Sequence, residues 1–324
     1  IVNPYYLIDI LTENPAIYSI SLHRLEQIHK NFRKDEMKML TITIILSIIA
    51  TVVVWQSMDR ATKSSKNDGA LTALYQALAG ITVLIFIPFE ELRVATDWKI
   101  WALFATACIF YAINDRIMTT LYKHLPTSQI SVIKQLSSVF VIIIGLVIFG
   151  EPFSLRNIIA AVIIITGNVL ILYQKQTDKG ARKKKIFYII LGVIANVSMS
   201  IALSLDIDIS SHYNLAIYAA LSLIMPSIII CIGDKNVNLR ALKGEIVNGN
   251  KKAIIIAAIA QGIQIFTMLK AYQLGSIIVV APLLALSVLI NAIYELIFLK
   301  EKDRWMTKIL VSVMIFVAVI MISM

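Results

Sequence analysis

Ten stretches of about twenty apolar residues fill the chain from residue 39 onward, more than any soluble core could absorb. They run roughly over 39–60, 70–89, 100–121, 127–149, 157–174, 186–205, 213–233, 253–272, 276–299 and 304–324. A helix needs about 20 mostly apolar residues to cross the hydrocarbon layer of a bilayer. The stretches are continuous rather than alternating, which excludes barrel strands. Only 15% of the 324 residues are charged and 58% are hydrophobic, whereas an ordinary soluble domain is about 25% charged. The sequence therefore predicts an all-α integral membrane protein, multi-pass, in the cell membrane, with about ten transmembrane helices and the lipid bilayer as its surroundings.

A net charge of +10 would suggest nucleic acid in a soluble protein. Here the basic residues fall in short loops between apolar stretches, where they orient helices and meet anionic headgroups. Nucleic acid is therefore not expected as a partner. Cys108 and Cys231 both fall inside apolar stretches and read as small buried hydrophobes. Residues 1–38 hold five basic and five acidic residues with no spanning run and no signal-peptide core. They read as an N-terminal peripheral tail, or as an upstream extension before a start near Met37 or Met39.

Two loops are long and strongly basic: "QKQTDKGARKKK" (174–185) and "GDKNVNLRALKGEIVNGNKK" (233–252). The first lies midway through the apolar set, which invites a test for a repeat. A shift of 150 residues lays "LYKHLPTSQISVIKQLSSVFVIIIGLVIFGEPF" on "AYQLGSIIVVAPLLALSVLINAIYELIFLKEKD" without a gap. Tyr122 then meets Tyr272, Ser137 meets Ser287 and Glu151 meets Glu301. A second local match sets "WQSMDRA" (55–61) on "NVSMSIA" (196–202). Two halves of five helices follow. An odd number per half forces opposite orientations in the bilayer, the inverted repeat of many secondary transporters.

The segment "LVIFGEPFSLRNIIAAVIIITGNVLIL" (146–172) resembles the signature closing each half of EamA-type permeases, in the drug/metabolite transporter superfamily. "GSIIVVAPLLALSVLINAIYELIFLKEK" (275–302) is similar to its second-half counterpart, and "WQS" (55–57) resembles a "WGS" of the first helix. The second half departs from the first, with Lys300 in place of Gly150 and Val317 in place of Gly167. The resemblance implies a first EamA-like five-helix repeat over 39–174, a basic linker loop over 175–185 and a second repeat over 186–324. It also implies a cytoplasmic N-terminus. The charges argue the other way, because nineteen Lys and Arg residues fall on the face opposite the termini and eight on the terminal face. Lys/Arg excess marks the cytoplasmic side.

Inside the apolar stretches the charged residues are few. Lys134 lies seven residues past Thr127, about 10 Å deep at 1.5 Å per residue. Asp115 lies at a similar depth before the tight "HLPT" turn, so the two are expected to neutralise each other or to face one watery cavity. An ionisable residue in a membrane span is by default a pathway candidate. The rival reading is a fixed pair that locks two helices, and Arg116 beside Asp115 competes for its carboxylate. Gln135 and Asn114 flank the two charges. In the second half Leu284 matches Lys134 and Ile265 matches Asp115, leaving the amides Gln261, Gln264, Asn196 and Asn291 as candidates. Amides in such helices either glue helices or bind ligands. Trp55, Gln56 and Tyr272 could grip a planar or amphipathic solute. Lys270 and Glu295 lie near helix ends and read as surface groups, and Pro282 is expected to kink its helix.

The functional expectation is a secondary transporter that moves a small organic metabolite or drug-like solute by alternating access. A coupled proton and a homodimer both stay open. A lipid-headgroup flippase of the same superfamily is the alternative. An intramembrane enzyme is the third reading, and it lacks a reactive set. His23, His29, His124 and His212 lie in the tail or loops without metal spacing. Asp206 and Asp208 could hold a cation only as a weak reading, and Walker A is absent. No cofactor is expected.

Overall fold

The computed structural model describes residues 15–90, 92–147, 155–172, 179–209, 212–274, 277–300 and 305–323. Glu151, Glu301, the tail before residue 15 and the loop 175–178 lie outside the described residues, as do the side chains of Asp208 and Pro282. Every described element is helical: α1 Pro15–Ser64, α2 Asp68–Leu84, α3 Trp98–His124, α4 Thr127–Ile133, α5 Leu136–Val147 and α6 Leu155–Leu172. The second half gives α7 Lys179–Ile209, α8 Leu215–Gly233, α9 Leu239–Asn248, α10 Lys251–Leu274, α11 Ile277–Ile297 and α12 Trp305–Ser323.

Local chemistry explains the boundaries. The side chains of Asn67, Asp97, Asn214 and Asn238 each accept a backbone N–H in the first turn of α2, α3, α8 and α9. Such caps satisfy donors that the helix itself leaves unpaired. Lys123 and His124 close α3, where cations meet the negative helix end. Helix α1 is continuous from Pro15 through the first span.

Six described helical segments are long and apolar enough to cross a membrane: Met37–Ser64, Asp68–Phe89, Trp98–His124, Ile186–Asp206, Leu215–Gly233 and Lys251–Leu274. Shorter apolar helices cover Ile158–Gly167, Leu283–Ile297 and Trp305–Met321. Apolar side chains stay exposed at helical spacing, as with Ile42, Ile45 and Ile49 on α1 and Ile255, Ile256 and Ile259 on α10. In water such stripes would be sticky patches, and in a bilayer they are ordinary lipid-facing surface. The chain is a multi-pass membrane protein.

The fourth apolar stretch differs from expectation. It is interrupted at Lys134 and Gln135, which separate α4 from α5. The backbone there tightens: Lys134 N–H bonds Ile130 at 2.9 Å, while Gln135 N–H reaches only three residues back, to Val132, at 3.0 Å. No glycine or proline marks the spot.

Helices of the first half pack mainly on helices of the second. Helix α1 lies along α10, α2 is held between α8 and α10, α3 packs on α7 and α8, and α6 packs on α12. Lipid tails are as apolar as leucine, so contact in a bilayer depends on close van der Waals fit and small residues. Ala73, Ala79, Ala219, Ala257 and Ala258 are buried accordingly. A Cβ on Gly262 of α10 would stand 2.7 Å from the Ala79 carbonyl oxygen of α2. One on Gly80 of α2 would stand 3.0 Å from the Ala220 carbonyl oxygen of α8. Only glycine permits both crossings.

Candidate functional site

Where α1, α3, α7, α10 and the α4–α5 break converge, the bundle encloses a cavity of about 250 Å3. Lys134 lies at the interruption, and its ammonium reaches into this space. Its Nζ lies 5.6 Å from the ring centre of Trp55 and 5.5 Å from that of Tyr122. Aromatic faces attract a cation and replace part of its lost hydration. Among the described residues no carboxylate forms an ion pair with Lys134.

Asp115 lines the same cavity, yet it is held by amides instead of by the lysine. Gln76 donates to its Oδ2 at 2.6 Å and Asn114 to its Oδ1 at 2.9 Å. Arg116 does not compete, because it turns away to Asp234 at 3.2 Å near the end of α8. Of the two expected arrangements, a direct pair or a shared cavity, the geometry has the second: both charges line one cavity, each with its own polar or aromatic support.

The rest of the wall mixes amides with soft apolar groups. Gln135, Asn196, Gln261 and Gln264 line it, as do Met58, Met118, Met199 and Met268. Asn196 is partly committed, donating to the Gly192 carbonyl at 2.7 Å. Among the described residues the Gln264 side chain makes a long contact to Met268 sulfur at 3.6 Å. Among the described residues the Tyr122 hydroxyl, on this wall, is buried without a hydrogen-bond partner. Buried polar atoms of this kind are few in native folds and call for an explanation. A bound polar solute would supply one.

Gln56, Asn291 and Tyr272 lie elsewhere. Tyr272 is exposed near the end of α10. Gln56 donates to Asn291 Oδ1 at 2.9 Å and to Thr127 Oγ1 at 3.0 Å, inside a second polar cluster. Its centre is Glu295, which is 1% exposed. Glu295 accepts from Thr127, from Asn291 at 3.4 Å and from Lys308 at 2.9 Å. The sequence reading of Glu295 as a surface group is therefore corrected. Helix α12 returns after a short connection and packs along α11, covering the end where Glu295 sits. The missed signal was Lys308, thirteen residues on, one turn inside the next apolar stretch. Lys270 pairs with Glu90 at 2.7 Å, both side chains being partly buried. Asp206 offers no open cation site, because Tyr111 and Tyr218 donate to its two oxygens.

Residues 37–173 match the EamA-like transporter family. No curated protein matches the sequence. A protein known from its crystal structure superposes on 87% of this chain and 94% of its own, at 10% identity and a TM-score of 0.53. That likeness concerns the fold alone.

Proposed function

We propose, from the match of residues 37–173 to the EamA-like transporter family, that the chain is a secondary transporter. It moves a small organic solute through the Lys134 cavity by alternating access between two inverted five-helix repeats, 39–174 and 186–324. The observation that carries this reading is the make-up of the wall. Residues matched by the two internal alignments occur there together: Trp55 with Asn196, Met58 with Met199, Asn114 with Gln264, Asp115 with Ile265, and Met118 with Met268. A cavity on a pseudo-two-fold axis has this composition, and transporters of inverted repeats bind cargo there. Helix pairing supports the same plan. Exchanging each span for the one five later turns the α1–α10 contact into α3–α7 and the α2–α10 contact into α3–α8, both of which occur.

Lys134 supplies the polarity of the site. An ammonium among aromatic faces, without a carboxylate on it, favours cargo carrying an anionic or strongly accepting group. The four methionines give an adaptable apolar lining for the remainder. Asp115, backed by Gln76 and Asn114, is the candidate to carry a coupled proton. Thermal-shift screening of the purified protein against a metabolite panel, repeated on Lys134→Ala, tests the site. Ligands that stabilise the wild type and not the variant support it, and a panel that stabilises both equally removes Lys134 from it. With such a cargo in proteoliposomes, Asp115→Asn should abolish uptake driven by a pH gradient. Unchanged gradient-driven uptake would end the proton assignment.

A further inference from the structure

We propose that α9 and its flanking lysines form a docking surface for anionic lipid headgroups, so that this helix lies in the interfacial layer of the leaflet on the basic side of the bundle. The inference is independent of the cargo and of the transport cycle. It starts from the outward face of the helix. Leu239 is 85% exposed, Val247 56% and Ile246 50%, and at 100° per residue these three share one side with Arg240 and Lys243. No acidic residue lies on that side. Lys235 precedes the helix, and Lys251 and Lys252 follow it, all exposed.

The single acid of the helix points the other way. Glu245 is buried, and its Oε1 accepts the backbone N–H groups of Lys66 at 3.0 Å and Asn67 at 2.9 Å. Asn67 in turn donates to the Asn236 carbonyl at 2.7 Å, and Asn250 N–H bonds Ser64 Oγ at 3.0 Å. Both ends of α9 are therefore clasped to the turn joining α1 and α2, which fixes the orientation of the outward face. Asp234, the other nearby acid, is engaged by Arg116.

A mixed face of apolar and basic side chains without acids suits one environment well. Apolar side chains dip toward the acyl boundary while Lys and Arg reach anionic headgroups. Because α8 and α10 run into the bilayer from either end of α9, the helix has no route far from the membrane surface. In cells the leaflet richest in anionic lipid is cytoplasmic. The same placement thus puts the basic loops inside, as their charge count predicts.

The test uses the full chain in nanodiscs of phosphatidylcholine with or without phosphatidylglycerol, read by amide hydrogen exchange across residues 239–248. Exchange should slow roughly tenfold when the anionic lipid is present. The Arg240→Gln/Lys243→Gln double variant should lose that slowing while keeping the wild-type rate in neutral discs. Raising the salt should erase the difference in the unmodified protein, since the attraction is screened. Equal exchange in both disc compositions would overturn the proposal. So would protection that follows protein concentration in detergent, which would assign the face to a second copy of the chain.

Discussion

Lys134 and Lys308 are both lysines enclosed by the helical bundle, and they are accommodated in opposite ways. Lys308 meets the carboxylate of Glu295 at 2.9 Å, inside a cluster that also holds Asn291, Thr127 and Gln56. Lys134 meets aromatic faces and a cavity, while the acid on the same wall is bonded to amides. A paired charge repays its desolvation through its partner and is then committed. A charge supported by rings and space keeps its hydrogen-bonding capacity for something else. The first arrangement joins α1, α4, α11 and α12, and the second leaves a donor facing the cavity.

The contrast is sharpest in stability. Glu295→Leu takes away the buried carboxylate that Lys308, Thr127 and Asn291 share and should cost about 3–5 kcal/mol, read by denaturant unfolding in detergent micelles. A variant as stable as the wild type would break the comparison. Lys134→Met should move in the other direction, with unfolding changed by less than about 1 kcal/mol because lost ring contacts offset a relieved desolvation. Its affinity for the cargo should nonetheless fall at least tenfold, or about 1.4 kcal/mol, by calorimetric titration.

Tyr122→Phe is the finer probe. Its hydroxyl has no partner among the described residues, so deleting it should shift stability by less than about 0.5 kcal/mol, whereas loss of a hydroxyl that bonds a partner costs more. A several-fold loss of cargo affinity would place that hydroxyl in the site. The smallest effect concerns the outer pair, Arg116 with Asp234. Partial burial pushes the Asp234 carboxyl up, but the Asn236 backbone N–H and the Arg116 guanidinium outweigh it and hold it below its ordinary value. A lowered folded value means stability present above the unfolded carboxylate value, about 3.9, and lost as pH falls through the lowered one. Arg116→Gln should therefore change the acid limb of a thermal-shift profile, below about pH 4, and leave pH 6–8 as it was.

Helix-forming stretches were legible because twenty apolar residues in a row admit few alternatives. Lys134 and Asp115 were legible too, since a lone charge in such a stretch has to be accounted for. Three things were not. The interruption at Lys134–Gln135 carries no glycine or proline to announce it. Glu295 looked superficial because depth was counted along its own helix, while the burial comes from α12 folding over it. Gln56 and Asn291 were correctly polar residues of the interior but belong to Glu295, and nothing in one helix tells which of two polar centres its amide will join.

The glycine crossings at Gly80 and Gly262 have a consequence for how this molecule can be assembled. Helix α2 is wedged between two helices made much later by the ribosome, so residues 39–174 by themselves would carry carved faces with nothing to fill them. Severing the chain at the central loop should give two fragments that accumulate only when synthesised together, each acting as the mould for the other.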